Sequence, residues 1–287
     1  MVNYVIITPA KNEVEYIEKT IRSVVNQTVL PSEYIIVNDG STDGTEKIIE
    51  KYQNEYPWIQ RLDRPQGKHR PGDGVIEAFY EGYNAISVQD WQFLVKLDGD
   101  LQFEPDYFEQ QIKRFSENEK LGITSGVTCH IKGNQLILDR MPEDHTRGAA
   151  KMYRKACWND IGGLLQVLGW DTFDELKAQV MGWKTQSFRD LPLIHFKPIG
   201  FKQKSILRRE LKAGERYHYM GYFWLFFLLK SIYRMLHKPF FIAGFLNLYG
   251  FFKAQIAGTP QIQDSVMINH LKRKQKKRLT HRHKLVG

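Results

Sequence analysis

The sequence predicts an α/β fold with a mostly parallel central sheet, followed by amphipathic, aromatic helices at the C-terminal end. Three observations carry this. Short apolar runs alternate with stretches of helical periodicity through residues 1–199, three of those runs end in polar, turn-prone residues, and beyond residue 200 the chain turns aromatic and basic. With 287 residues, of which 42% are hydrophobic, 25% charged and 13% aromatic, the chain can bury a sizeable core in one large domain or two. Its two cysteines, Cys129 and Cys157, exclude a disulfide framework, and neither stands in a closely spaced zinc-type cluster. A reducing, cytosolic setting follows.

Taken in order, Tyr4–Ile7 is an apolar run of strand length that stops at Pro9, and Met1-Val2-Asn3 lacks the positive charge of a cleaved leader. Val14, Ile17, Ile21, Val24 and Val25 recur at helical spacing, and Tyr34–Val37 is a second run rich in branched residues, which makes a strand, helix, strand unit. Thr42 or Asp43 suits the N-cap of a helix over Glu46–Tyr52, and a further helix is expected near Val75–Ala85. Gln92–Leu97 reads as a strand, Pro105 as the first turn of a helix through Phe115, and Gly122–Thr128 as another strand. The predicted organisation is a catalytic or binding domain over residues 1–200, a helical region over 201–264 and a basic tail over 265–287.

Placed along the chain, the net charge of +9 is uneven. Residues 1–199 carry 23 Lys and Arg against 29 Asp and Glu, residues 200–264 carry 10 against 3, and residues 265–287 carry 8 against none. An acidic body joined to a basic end points to attachment to an anionic surface, either nucleic acid or a membrane leaflet. Tyr217–Leu229 and Pro239–Phe252 hold no charged residue, yet neither reaches the ~20 residues of a spanning helix. They fit interfacial helices, with core helices packed on the sheet or a dimer interface as the plainer reading. The basic run from Leu271 to Lys284 is expected to be disordered in isolation, and the adjoining aromatic helices favour lipid over nucleic acid as the partner of residues 217–287, with a merely solvated tail as the alternative.

In an open parallel sheet, ligands bind beyond the carboxyl ends of the strands, so the polar strand ends are weighed first. They are Thr8-Pro9-Ala10-Lys11-Asn12-Glu13, Asn38-Asp39-Gly40-Ser41-Thr42-Asp43-Gly44-Thr45 and Lys96-Leu97-Asp98-Gly99-Asp100. Asp98 and Asp100 flank a glycine after an apolar strand, where two carboxylates repel unless a cation neutralises them. Oxygen-only ligands suit Mg²⁺ or Mn²⁺. A bare Asp-x-Asp is more often a turn or cap, and it gains weight here from its position beside the other two ends. Both glycine fingerprints that cradle phosphate on backbone amides are missing from the sequence, so a nucleotide has to be held by metal and side chains.

These three motifs, in this order and spacing, resemble family 2 glycosyltransferases of the GT-A fold, a Rossmann-like domain, and the resemblance covers roughly residues 1–200. It implies transfer of a sugar from a nucleoside-diphosphate donor with inversion, assisted by a divalent metal. By position, Pro9 and Glu13 are expected to line the nucleoside pocket, Asp39 to contact the base, Asp98 to lie near the ribose or diphosphate, and Asp100 to bind the metal. The resemblance favours UDP slightly over GDP. Inversion calls for a general base opposite the leaving group. The matching stretch is Gly169-Trp170-Asp171-Thr172-Phe173-Asp174-Glu175, with Trp170 where the family often has Glu. Asp171 is the expected base, with Asp174 or Glu175 as substitutes, although Asp171 also suits an N-cap.

Other polar residues weigh less. The loop Gly67-Lys68-His69-Arg70-Pro71-Gly72 reads as surface charge that could meet phosphate, and His195, between apolar residues, as a half-buried histidine rather than a catalyst. Arg208, Arg209 and Arg216 are open between diphosphate and lipid phosphate. The expected acceptor is a hydroxyl of a glycan or lipid-linked molecule in envelope polysaccharide or glycoconjugate assembly, with the protein on the cytoplasmic face of the membrane and nucleic acid an unlikely partner. Asp98-Gly99-Asp100-Leu101-Gln102 with Pro105 also resembles the polyprenyl-phosphate sugar synthases, which use a lipid phosphate acceptor. The alternatives from other classes are a non-catalytic, membrane-anchored nucleotide-sugar or polyanion binder, and a nucleotidyltransferase, for which Thr8–Glu13 lacks a glycine-rich basic signature.

Overall fold

Tyr4–Ala10 forms β1, Ile17–Val25 α1, Glu33–Asn38 β2, Thr45–Glu55 α2 and Ile59–Asp63 β3. Asp73–Asn84 (α3) leads to Phe93–Leu97 (β4), Leu101–Phe103 (β5), Tyr107–Glu117 (α4), Leu121–Lys132 (β6) and Gln135–Leu138 (β7). Ala150–Arg154 (β8), Lys155–Ile161 (α5), Trp170–Val180 (α6) and Lys184–His195 (β9) complete the first of two compact units, Met1–Lys197. These coordinates are a computed structural model that describes residues 2–65, 73–133, 135–167, 169–197, 206–237 and 239–280. The basic loop at 67–72 lies outside them.

The two-residue period of a strand sends neighbouring side chains to opposite faces. In β1, Tyr4 and Ile6 enter a cluster with Ile17, Ile21 and Val24 of α1 and with Phe108 and Phe115 of α4, whereas Val5 and Ile7 enter another with Ile76 and Phe79 of α3 and Cys157 and Trp158 of α5. A strand covered on both faces has no solvent side, which is why β1 and β2 read as unbroken apolar runs.

The sheet order is β3-β2-β1-β4-β8-β6-β9-β5, with β7 on β6. Pairings β1–β2, β1–β4, β2–β3 and β6–β9 are parallel, and β4–β8, β6–β8, β6–β7 and β5–β9 are antiparallel. The parallel half thus matches the strand–helix alternation, and the sheet becomes mixed where β8 returns beside β4. The chain order reverses between β1 and β4, the kind of switch point beyond whose carboxyl ends such sheets bind ligands.

The second unit, Pro198–Gly287, contains α7 (Ile206–Tyr219), α8 (Trp224–Met235), α9 (Ile242–Ile256) and α10 (Ser265–Thr280). α7 and α9 cross closely because Gly214 and Gly250 have no side chain at the contact. A Cβ at Gly214 would stand 2.1 Å from the Asn247 carbonyl, and one at Gly250 2.2 Å from that of Leu211. Among the described residues no helix is long and apolar enough to cross a membrane. Residues 271–280 are helical where the charge run suggested disorder, because Met267, Leu271 and Gln275 recur every four residues and bury one stripe of α10.

Candidate active site

The carboxyl ends of β1 and β2 are fastened to each other. The Asn12 N–H donates to Ser41 Oγ (3.0 Å), Glu13 N–H to Thr45 Oγ1 (2.9 Å) and Val14 N–H to Asp43 Oδ2 (3.1 Å), while Asn12 Oδ1 accepts from Thr42 N–H (2.9 Å). Asn12 takes a left-handed conformation, φ +54°, that asparagine tolerates better than most residues. Pro9, the last residue but one of β1, stands opposite Val37, and Asp39 follows β2, held between Lys11 at 3.3 Å and Arg64 at 2.9 Å. Glu13 is buried and ion-paired with Lys197.

After β4, Asp98 donates its backbone N–H to the Ala149 carbonyl and its carboxylate pairs with the buried Lys96. Asp100 is 6% exposed. β5 pairs with the end of β9, setting Leu101 opposite His195, and Phe196 N–H donates to the Asp100 carbonyl. This brings His195 Nε2 to 3.3 Å from Asp100 Oδ2. One ligand atom from each of Asp98, Asp100 and His195 lies within 4.8 Å of the others. Burial alone would raise the Asp100 carboxyl, but His195, Lys197 and Lys96 outweigh it and hold the group below its ordinary value. Burial would lower the His195 imidazolium, and Asp100 and Asp98 reverse that and raise it. Two carboxylate oxygens and an imidazole nitrogen in this compass fit a divalent cation of the Mg²⁺ or Mn²⁺ kind. His195 is half-buried, as its alternation with apolar residues suggested, and strand pairing turns it onto the carboxylates.

The three carboxylates of α6 have different surroundings. Asp174 is buried and takes Lys151 Nζ on both oxygens (2.8 and 2.9 Å) and the Tyr153 hydroxyl (2.6 Å). Glu175 accepts from Thr146 Oγ1 (2.6 Å) and meets His145 Nδ1 at 2.9 Å. Burial raises Asp174 despite Lys151, whereas the charges of Lys151 and His145 overcome burial at Glu175 and bring it down to about 2. Asp171, in the first turn, is half-buried, and its carboxylate makes no hydrogen bond or ion pair among the described residues. Asp174 and Glu175 are thus both ion-paired with Lys151, whereas the Asp171 carboxylate is not.

Contacts link this turn to Asp98. Lys96 stands opposite Lys151 across β4 and β8, donates to the Gly148 carbonyl (2.7 Å), and lies 5.2 Å over the Trp170 ring, which Lys151 approaches at 5.6 Å. A Cβ at Gly148 would come 3.0 Å from Asp171 Cβ, so glycine there lets the turn settle against β8. Trp170, at the place of the expected glutamate, is thus a platform for two buried ammonium groups. A cavity of about 270 Å³ at the start of α4, lined by Glu104, Asp106 and Asp190 among others, contains none of these groups. Arg208, Arg209 and Arg216 belong to the second unit, where Arg209 pairs with Glu210.

The profile of Glycosyl transferase family 2 matches residues 5–165. Among curated relatives, chondroitin synthase of Pasteurella multocida is 33% identical over 113 residues, 39% of this chain and 11% of that protein. Poly-beta-1,6-N-acetyl-D-glucosamine synthase of Staphylococcus epidermidis is 30% identical over 199 residues, 62% of this chain and 44% of that one. The chain spans about a tenth of the former's length and under half of the latter's. Among solved structures, the mannosyltransferase PcManGT from Pyrobaculum calidifontis, in complex with GDP-Man and Mn²⁺, has a TM-score of 0.57 at 14% identity over 98% of this chain and 81% of that one. S. aureus TarS in complex with UDP-GlcNAc has a TM-score of 0.55 at 16% identity over 74% and 66%. These two likenesses establish the shared GT-A type α/β fold.

Proposed function

Because the chain belongs to glycosyl transferase family 2, we propose that it transfers a sugar, with inversion, from a UDP- or GDP-type nucleotide sugar to a hydroxyl of a glycan or lipid-linked acceptor. The observation that carries this is the gathering of Asp98, Asp100 and His195 at the β1/β4 switch point, beside the fastened loops of Asp39 and Glu13. Asp39, fixed by Lys11 and Arg64, keeps acceptor capacity for an N–H of the base, and Pro9 and Glu13 line the nucleoside side. Asp98, Asp100 and His195 would hold the divalent cation, which when bound neutralises charge on the diphosphate leaving group.

Asp171 is the general base. Its carboxylate takes the proton of the acceptor hydroxyl as that oxygen bonds to the anomeric carbon, and the bond from that carbon to the diphosphate breaks on the opposite face. The nucleoside diphosphate leaves with the bonding pair. Lys151 holds the Asp171 carbonyl, which orients this turn without occupying the carboxylate.

The second unit is a peripheral attachment to the cytoplasmic face of a membrane. Trp224, Leu229, Phe241 and Phe245 are exposed at 57%, 46%, 71% and 62%, more apolar surface than a solvated helical unit ordinarily leaves bare.

A thermal-shift panel of UDP, GDP, CDP and dTDP with their common sugar conjugates, each with Mn²⁺ and with EDTA, tests the reading. Stabilisation by one nucleotide family that EDTA removes is the expected result. No shift with any nucleotide would return the chain to the non-catalytic binders.

A further inference from the structure

Where α7 runs into α8, two cationic groups meet on two tyrosines. Lys230 of α8 donates to the Tyr217 hydroxyl at 2.8 Å and lies 4.3 Å over the same ring and 5.6 Å over that of Tyr222. The Arg216 guanidinium is 5.5 Å from the Tyr217 ring, and the two tyrosine rings are 4.6 Å apart. The phenol oxygen accepts from Lys230, and its own O–H has no acceptor among the described residues. Burial alone would raise the Tyr217 phenol, but Lys230 and Arg216 outweigh it and hold the group below its ordinary value.

The carboxylates of this unit are engaged elsewhere. Glu210 pairs with Arg209 and Arg234 at 3.0 Å, Glu215 with Lys253 at 3.8 Å, and Asp264 accepts from Met267 N–H at 2.9 Å. They are the only acidic residues between 206 and 280, against 14 Lys and Arg. Among the described residues of this unit, no carboxylate therefore balances the Tyr217 cluster. A guanidinium, an ammonium and a phenolic O–H match the several acceptor oxygens of a phosphate.

Position selects the source of that phosphate. Lys230 is exposed and directly follows Leu229 on α8, whose Trp224, Leu225, Leu229 and Ile232 are all open to solvent. Aromatic and aliphatic side chains entering a leaflet, with Lys and Arg beside them at headgroup depth, are how interfacial helices divide apolar from charged contacts. We propose that Arg216, Tyr217 and Lys230 form a binding site for the phosphate of a lipid headgroup, seated at the edge of the exposed face of α8. This inference rests on the membrane-attachment reading above.

The test uses the full chain with vesicles of phosphatidylcholine alone, of phosphatidylcholine with phosphatidic acid, and of phosphatidylcholine with oleate at matched charge. Binding is read by co-sedimentation. Wild type is expected to prefer phosphatidic acid over oleate, and Tyr217→Phe and Lys230→Gln to lose that preference by about fivefold. Lys253→Gln, which removes the same charge elsewhere, is expected to retain it. Tyr217→Phe leaves charge and ring packing in place, so its loss reports the hydroxyl. Equal binding to both anionic vesicles by every variant would overturn the site while leaving membrane attachment intact, and no binding to any vesicle would remove attachment and site together. Stabilisation by inorganic phosphate without preference for phosphatidic acid would assign the site to a soluble anion and overturn the lipid assignment.

Discussion

The carboxylates of α6 allow a separation of chemistry from stability by single substitutions. Lys151 and Asp174 have side chains 0% and 1% exposed and share two hydrogen bonds. Breaking a buried pair by removing one charge costs about 3–5 kcal/mol. In Asp174→Asn, Glu175 remains 3.2 Å from Lys151, so the lower end, about 3 kcal/mol, is the working figure. For a unit of this size each kcal/mol moves the melting temperature by about 2–4 °C, which makes the expected fall roughly 6–12 °C. Asp171→Asn leaves no buried partner unpaired, and its melting temperature should stay within about 1–2 °C of wild type. Its transfer rate, however, should drop by about 10²–10⁴-fold, the range of a lost general base. The two variants are compared by thermal denaturation and by turnover of the donor found in the nucleotide panel. If Asp171→Asn turned over normally while Asp174→Asn kept its melting temperature and lost activity, the assignment of the base would be reversed.

Three further outcomes are expected. Glu175 sits at about 2, below an unfolded carboxyl, so its contribution to stability is present above the ordinary carboxylate range and is lost as pH falls toward 2. The stability deficit of Glu175→Gln in urea titrations should narrow over that acid window, and a deficit constant with pH would contradict the ion-pair account. Burial, then Asp174 and Asp160, push the Cys157 thiol up to about 12, and Cys129 is also buried and raised. Neither should react with a thiol reagent in the folded protein at about pH 8, and one rapidly labelled equivalent would show that the packing around them is open. Gly250→Ala should destabilise the helical unit by about 1–3 kcal/mol, because its methyl meets the Leu211 carbonyl; unchanged helical melting by circular dichroism would count against the close α7–α9 crossing.

Much of the first unit was legible because its strands are covered on both faces, so that Tyr4–Ile7 and Tyr34–Val37 stand out as apolar runs ending in polar turns. What escaped was whatever a distant strand decides. Asp171, Asp174 and Glu175 share one face of a helix by their spacing, and it is Lys151 and Tyr153 of β8, with His145 and Thr146 just before it, that determine which of them are tied down. His195 carries the same alternation whether it faces a core or a cation, and its meaning comes from the β5–β9 register. In α10 the run of Lys and Arg hid the stripe of Met267, Leu271 and Gln275, for which the four-residue spacing was the available signal. Lys96 opened the third motif without a role of its own, and its importance arises from lying opposite Lys151 over Trp170.

The fastening of the first two strand ends limits how nucleotide preference can change. Four hydrogen bonds join residues 12–14 to residues 41–45. The bond from Glu13 N–H to Thr45 Oγ1 is buried, so replacing Thr45 with an aliphatic residue leaves an amide without an acceptor, at about 1–3 kcal/mol. Variation in one loop therefore loosens the other, which on the function proposed above also faces the donor. Engineering a new donor here calls for libraries that vary both loops together, since the productive combinations include pairs whose single members fold poorly.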